Sequence, residues 1–383
     1  VSVIVESRAR GLVTCFLAAM MVVVADLSAM GQDGAAGLER PIVLPAFDPA
    51  AAPCSKPAGL THSLVFLQDN QRDFMKGVSA GLQAATSDRG IDFSVSLANN
   101  DAQLMREQAE QALQDKTGAV VVAPIDQRVT KKALQQLIWS GAYVGAVVPP
   151  PATTILNAPQ YLTGKTLAKA AADYIVTRLG GQAKVVLLTH DSNQFLAPRF
   201  VAIREVLSTL PGVTIVADIS PATVDRKGGF ETMKTILLVQ PSIDVVLGAD
   251  TVVLGALDAL RADGRDRPDQ FLGGIDGEPE AVAEIARGGP YKASVSLASP
   301  IFGYALGQFA ADWMEGKSVP QAMDILPKAL TAENLSQYRA DMANPKAVYQ
   351  DPTRRDGYLS MYGNICYDTR DRYLNFPWSS ERR

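Results

Sequence analysis

Residues 119–126 read Ala119-Val120-Val121-Val122-Ala123-Pro124-Ile125-Asp126, an unbroken apolar run closed by a proline and an acid. A strand with one wet face alternates apolar and polar residues. A continuous run needs cover on both faces, which parallel sheets in α/β proteins obtain from their crossover helices. Strands are predicted at 63–68, 93–98, 119–123, 143–148, 184–189, 214–219, 244–248, 270–275 and 292–297, several of them continuous apolar runs of this kind. Helical periodicity fills the gaps between them. Phe74, Val78, Leu82 and Ala85 share one face and end at Gly90, a residue suited to a helix C-cap. Phe200, Ile203, Leu207 and Leu210 do the same before Pro211. Asp250 or Thr251 is placed to cap a helix carrying Leu254, Leu257 and Leu260.

Repeated βα units imply doubly wound parallel sheets. Nine strands exceed the usual sheet of about four to six, and the triplet Pro149-Pro150-Pro151 interrupts the rhythm before a second series begins near Thr163. The expected architecture is two α/β lobes. The C-terminal part, from about Thr331, is less regular, and 351–383 reads as an extension.

Composition narrows the function. The chain has 383 residues, 47% hydrophobic, with 36 basic and 40 acidic residues and a formal net charge of -4. No basic patch or stripe suits nucleic acid, which is not expected as a partner. Arg8 and Arg10 precede an apolar stretch at 12–25, followed by the small residues Ser28 and Ala29. The stretch is shorter than the ~20 residues of a membrane span and reads as a secretory signal peptide over 1–29. The Pro- and Ala-rich segment 30–60 reads as a leader linker. Cys15 leaves with the signal, so Cys54 and Cys366 are an even pair in an oxidising compartment, where a disulfide is expected.

Catalytic constellations are scarce. The only histidines are His62 and His190, both at strand edges, and no metalloprotease, Walker, dinucleotide or nucleophile-elbow motif occurs. The expectation is a non-enzyme without cofactor or metal. Polar residues cluster instead where the strands end, the place where open α/β sheets bind ligands. They are the stretch 68–74 with Arg72, Asp73 and Phe74, the stretch 190–199 ending at Arg199, and Asp250 and Asp276. Acids accept from hydroxyls, Arg donates, and a ring stacks on the apolar face of a sugar. Each also has a plainer reading: Asp250 as a helix cap, Asp276-Gly277 as a turn, Phe74 as core, Arg72 with Asp73 as an exposed pair.

The order of Gln68-Asp69-Asn70, Ala123-Pro124-Ile125-Asp126, Ala197-Pro198-Arg199, Leu247-Gly248-Ala249-Asp250 and Gly274-Ile275-Asp276-Gly277 resembles the type I periplasmic sugar-binding proteins, the ribose- and galactose-binding class, over about two-thirds of the chain. The resemblance implies two lobes joined by a three-strand hinge: 61–160 with 298–327, and 161–297 with part of 328–350. It also implies closure on a carbohydrate-like ligand, periplasmic location, and delivery as a monomer to an ABC permease in the inner membrane. The alternative is a sensor subunit presenting ligand to a histidine kinase or chemoreceptor.

Carried over by position, Arg199 and Asp276 are the family's sugar-gripping Arg and Asp. Phe74 is a stacking aromatic with Met75 beside it, and Arg72 replaces an Asn. Val148 and Pro149 stand in place of an Asp-Arg pair, Ala249 of an Asn beside Asp250, and Leu297 of a Gln. A site that has lost such grips should fit plain ribose poorly. A ligand smaller, less hydroxylated or more apolar than a hexose is expected. Arg72 beside Arg199 adds the option of an anion such as a sugar acid or opine-like carboxylate.

Overall fold

In the computed structural model the described residues are 43–147 and 150–381. The expected signal peptide, the first part of the leader, and Val148 and Pro149 lie outside them. The chain runs β1 (Thr61–Gln68), α1 (Asp73–Arg89), β2 (Asp92–Leu97), α2 (Ala102–Gln114), β3 (Thr117–Val122), α3 (Gln127–Ser140), β4 (Tyr143–Val147) and β5 (Thr154–Asn157). A second series follows: α4 (Gln160–Arg178), β6 (Gln182–Leu188), α5 (Ala197–Ser208), β7 (Gly212–Ile219), α6 (Arg226–Val239), β8 (Val245–Leu247), α7 (Asp250–Ala262), β9 (Phe271–Asp276), α8 (Pro279–Arg287) and β10 (Tyr291–Ser296). The chain ends with α9 (Ser299–Met314), β11 (Ala322–Ile325), β12 (Lys328–Leu330), α10 (Leu335–Ala343), α11 (Pro345–Gln350), α12 (Pro352–Asp356) and β13 (Leu359–Tyr362).

Two sheets result. The first has the order β13-β11-β5-β4-β3-β1-β2, the second β12-β10-β9-β8-β6-β7. All pairings are parallel except β13 on β11 and β12 on β10, both at sheet edges. Strand β3 is buried along its whole length. Ala119 and Val121 enter the core under α1 and α9, while Val120 and Val122 enter the core under α2 and α3. The second sheet is covered likewise, with Val246 and Leu272 in one core and Val245 and Leu247 in the other. Gly90 ends α1 with φ 63°, and Asp101, Asp126 and Asp225 cap α2, α3 and α6 through their side chains.

Four stretches cross between the sheets: β5 to α4, β10 to α9, β11 to β12, and β12 to β13 by way of α10 to α12. The crossing comes later than the proline triplet suggests. After the prolines the chain adds β5 to the first sheet, paired with β4 and β11, and only then passes through Ala158 and Pro159 to α4. At this crossing Asn157 donates to Asp324 of β11 at 2.7 Å, both fully buried. Burial pushes the Asp324 carboxyl up to about 6.

The leader is more than a linker over its described part. Phe47 donates its backbone N–H to Met361 (3.0 Å), Gly363 donates to Pro45 (2.7 Å), and Ala46 bridges Tyr362, so this segment lies along β13. Cys54 and Cys366 stand with their Cα atoms 6.2 Å apart and their sulfurs joined, tying the leader to the C-terminal extension.

Candidate ligand-binding cleft

The C-terminal ends of β1 and β9 meet across a cavity of about 270 Å³, at the small end of the roughly 300–1,000 Å³ of ligand pockets. From the first lobe it is lined by Asp69, Arg72, Phe74, Met75 and Val147. The second lobe contributes Gln160, Phe195, Arg199, Asp276 and Glu278, and the crossings contribute Ala158, Leu297 and Ile325. An adjoining cavity of about 380 Å³ shares Phe74, Asp276 and Glu278 and is walled in part by Tyr338, Arg339 and Met342 of α10.

Arg199 lies in the first turn of α5 and is only 7% exposed. Its Nε donates to the side-chain carbonyl of Gln160, and its Nη1 stands 3.7 Å from Asp276, an ion pair without a hydrogen bond. Helix α5 is held against α4 by Gly164, where a Cβ would run into the backbone carbonyl of Arg199. Burial lowers the Arg199 guanidinium against the opposing pull of Asp276. Burial also raises the Asp276 carboxyl against Arg199 and against Arg72 from the other lobe. Both partners therefore remain underpaid in polar contacts: their mutual attraction falls short of what leaving water costs. The Nε2 of Gln160 is buried with no hydrogen-bond partner. These are groups for which a polar molecule in the cavity would supply missing bonds.

Asp276 closes β9 with φ 119°, and Gly277 follows with φ 71°. A non-glycine residue in that region carries strain that surrounding structure must impose. Here the restraint is Asp250. Its carboxylate accepts from Tyr291 Oη (2.7 Å), Ser294 Oγ (2.6 Å) and the backbone N–H of Glu278 (2.8 Å), and Ser294 Oγ in turn accepts from the N–H of Gly277 (3.1 Å). Gly274 leaves room for this carboxylate, since a Cβ there would collide with Asp250.

Two expected site residues stand outside this lining. Asp250 is fully buried and outside the cavity lining, bonded to Tyr291, Ser294 and the backbone of Glu278, and it does not cap its own helix. Ala249, at the N-cap of α7, packs against the second-lobe core and is likewise outside the lining. Arg72, Phe74, Met75, Arg199, Asp276 and Leu297 are brought together, and Asp73 lines the adjoining cavity. Met75 is buried in the first-lobe core, and Phe74 packs on Phe302 at 5.7 Å while keeping a face on both cavities.

The anionic option also changes. Arg72 is 55% exposed and pairs with Asp69 at 3.2 Å, so neither Arg of the cavity is a free cation.

Gln160 and Glu278 were missed from the sequence, and Phe195 was covered only as part of the stretch 190–199. Gln160 follows Pro159 at a strand–helix crossing, a position that carried no motif. Glu278 stands two residues after Asp276, where an acid looks like the first turn of α8. Burial, then Asp276, Asp250, Asp73 and Glu280, push its carboxyl up to about 7.

Two α/β lobes meeting over a cavity with buried polar groups in its wall, and joined by several chain crossings, define a ligand-binding clamp. The chain belongs to the periplasmic binding protein domain family, whose sequence profile matches residues 64–318. A Rhizobium meliloti protein provisionally named as rhizopine-binding is 26% identical over 261 residues, 65% of this chain and 83% of that protein. The ribose import binding protein of Bacillus subtilis is 26% identical over 263 residues, 65% of this chain and 80% of that protein. A solute-binding protein of Bacillus halodurans, solved with bound myo-inositol, superposes with a TM-score of 0.63 at 20% identity, covering 74% of this chain and 99% of that one. At that identity the superposition speaks for the fold alone.

Proposed function

We propose that the protein captures one small polar ligand, a sugar, polyol or cyclitol, between its lobes and delivers it to an ABC permease. The observation that carries this reading is the Arg199–Asp276 pair, desolvated, 3.7 Å apart and facing Arg72, Asp69 and Phe74 of the other lobe across about 270 Å³. Hydroxyls on a compact ring can accept from Arg199 and Gln160 and donate to Asp276, while Phe74 offers an apolar face. Bonds to both lobes favour the closed state, and only that differential affinity drives closure. A relative named for ribose import supports a compact polyhydroxylated ligand.

The proposed lobes are 61–160 with 298–327, and 161–297 with part of 328–350. The protein acts as a non-catalytic monomer, exported behind a signal peptide at 1–29 and carrying a Cys54–Cys366 disulfide. Among the described residues no helix is long and apolar enough to cross a membrane. Native mass spectrometry of the purified protein, followed by calorimetry with the released compound and with panels of sugars and cyclitols, tests the reading. One stoichiometric polyhydroxylated ligand is expected. A protein that binds none of them and co-purifies with a lipid or peptide would overturn it.

A further inference from the structure

Neighbouring residues at two of the crossings face opposite ways. Ala158, Gln160 and Ile325 line the ligand cleft, whereas Pro159, Tyr161, Asp324 and Leu326 line a second hollow of about 610 Å³ behind it. The C-terminal tail runs into this hollow. It is anchored on the first lobe, where Leu374 exchanges two backbone hydrogen bonds with Ala152 (3.0 Å each) and enters the core with Trp378, whose ring packs on Tyr362 of β13 at 5.0 Å. Ser379 Oγ accepts from Asn157 of β5 at 3.5 Å and from the N–H of Glu381 at 3.1 Å. The tip lies against the other lobe. Its Glu381 carboxylate accepts from the backbone N–H groups of Tyr161 (3.2 Å) and Leu162 (2.5 Å) in the first turn of α4, whose Leu167 and Ala168 belong to the second-lobe core. Helix α4 starts behind Pro159, which has no side-chain acceptor, so two of its free N–H groups are satisfied from the tail.

We infer that residues 374–381 form a strap behind the hinge: Glu381 holds α4, and with it the second lobe, in the arrangement seen here, and so limits how far the cleft opens before ligand enters. Three residues carry the chain from Trp378 to Glu381, a reach of roughly 10 Å at full extension, so the tip cannot follow α4 through a large rotation. Opening the cleft turns one lobe against the other about the crossings and moves the first turn of α4 relative to the tail. The two bonds exist in one arrangement and are lost in the other, and a difference of that kind is what shifts a two-state equilibrium. They are charge-assisted, the stronger class of hydrogen bond, and the helix N-terminus adds its attraction for a carboxylate. Burial raises the Glu381 carboxyl against these N–H groups, as expected of a tip seated in the hollow and not lying in solvent. The strap acts on the lobes themselves, whatever ligand they hold.

Spin labels on Gln103→Cys of α2 and Gln194→Cys before α5, exposed sites one on each lobe, report the inter-lobe distance in the dialysed full chain by double electron–electron resonance. In Glu381→Ala the ratio of long to short distances is expected to rise about tenfold, the worth of one charge-assisted bond. Glu381→Gln keeps one acceptor oxygen, and its ratio is expected to rise less. Hydrogen exchange at 160–163, read by mass spectrometry, reports the helix cap separately and should quicken in both variants, while far-ultraviolet circular dichroism shows the fold retained. Faster exchange with unchanged distances would make Glu381 a helix cap alone and overturn the strap. Distances and exchange both unchanged would show that the tail does not sit on α4, and overturn it as well.

Discussion

Replacing Asp250 with Asn separates a residue that touches ligand from one that shapes the site. The carboxylate is fully buried and accepts three hydrogen bonds, one at Oδ1 from Tyr291 and two at Oδ2 from Ser294 and Glu278. Asparagine reproduces its protonated form. The amide oxygen takes the place of Oδ2, and the amide N–H₂ donates to Tyr291 Oη, which turns its own proton aside. Burial raises the Asp250 carboxyl from 3.8 to about 6. A folded-state value above the unfolded one means that the native state holds the proton more tightly. The associated stability is fully present below pH 3.8 and is lost as pH rises through about 6. The loss amounts to roughly 3 kcal/mol at pH 8.

Asp250→Asn should therefore be more stable than the parent by up to about 3 kcal/mol at pH 8. The advantage should shrink through pH 6 and vanish near pH 4. Urea denaturation of both proteins at pH 8, 6 and 4.5 measures it, and other titrating groups cancel because the two are compared at equal pH. Asp250→Ala leaves three buried donors unpaired, at about 1–3 kcal/mol each, and should lose stability at every pH. The Asn variant should also keep its ligand affinity, since the 277–278 turn stays tied. An Asn variant destabilised at pH 8, or a gap that does not change with pH, refutes the electrostatic reasoning. Loss of binding in a stable Asn variant restores Asp250 to the ligand's contacts.

Arg199→Lys keeps a charge but not the fork that reaches both Gln160 and the cavity, and should weaken binding of the co-purified ligand by about 2–4 kcal/mol, 30-fold or more; calorimetry within threefold of the parent would count against Arg199 as a grip. Gly164→Ala drives a Cβ into the Arg199 carbonyl and should cost about 1–3 kcal/mol while shifting α5, seen as a lower midpoint in thermal unfolding together with weaker binding. An unchanged midpoint would mean that the α4–α5 contact has slack. The Cys54–Cys366 link spans 312 residues of sequence, so Cys54→Ser with Cys366→Ser should lose about 2–5 kcal/mol relative to the oxidised parent. Iodoacetamide labelling of both thiols before any reduction would show that the bond is absent.

What was legible in the sequence follows from how locally it is encoded. Strand β3 declares itself through five apolar residues because both of its faces are covered, while the edge strands β2 and β7 stay half exposed and declare themselves less plainly. Strand β5 has only four residues after a proline triplet, and β11, β12 and β13 have three or four each. Segments so short hold no readable period, and their place comes from partners distant in sequence, as when Thr154 donates to the Pro320 carbonyl at 2.6 Å. Arg199 and Asp276 were found because an order of motifs carried them. Gln160 and Glu278 carry no motif, and what marks them, an unpartnered amide and an unpartnered acid, exists only once the lobes meet. The bonds of Asp250 were illegible for a related reason: a strand-end acid before a helix fits a cap or a ligand contact equally, and its partners Tyr291 and Ser294 lie more than forty positions away.

The chain after β12 adds links between the two lobes. Leu335 and Tyr338 of α10 pack into the second-lobe core, and Tyr338 Oη shares a 2.6 Å hydrogen bond with Ser296 at the β10–α9 crossing. Val348 of α11 packs into the core of the first lobe, and Met342 touches both. The chain between α10 and α11 is thus a fourth covalent link between lobes that already share three. Glu381 adds a further tie by accepting from the backbone N–H groups of Tyr161 and Leu162, at the start of a helix that has no side-chain cap of its own. Links placed at separate points leave fewer axes about which two bodies can rotate. They also reduce the entropy that closure has to remove, a gain in preorganisation. Since α10 walls the cavity next to Glu278 as well, the same segment that links the lobes also bounds the space beside Phe74 and Asp276.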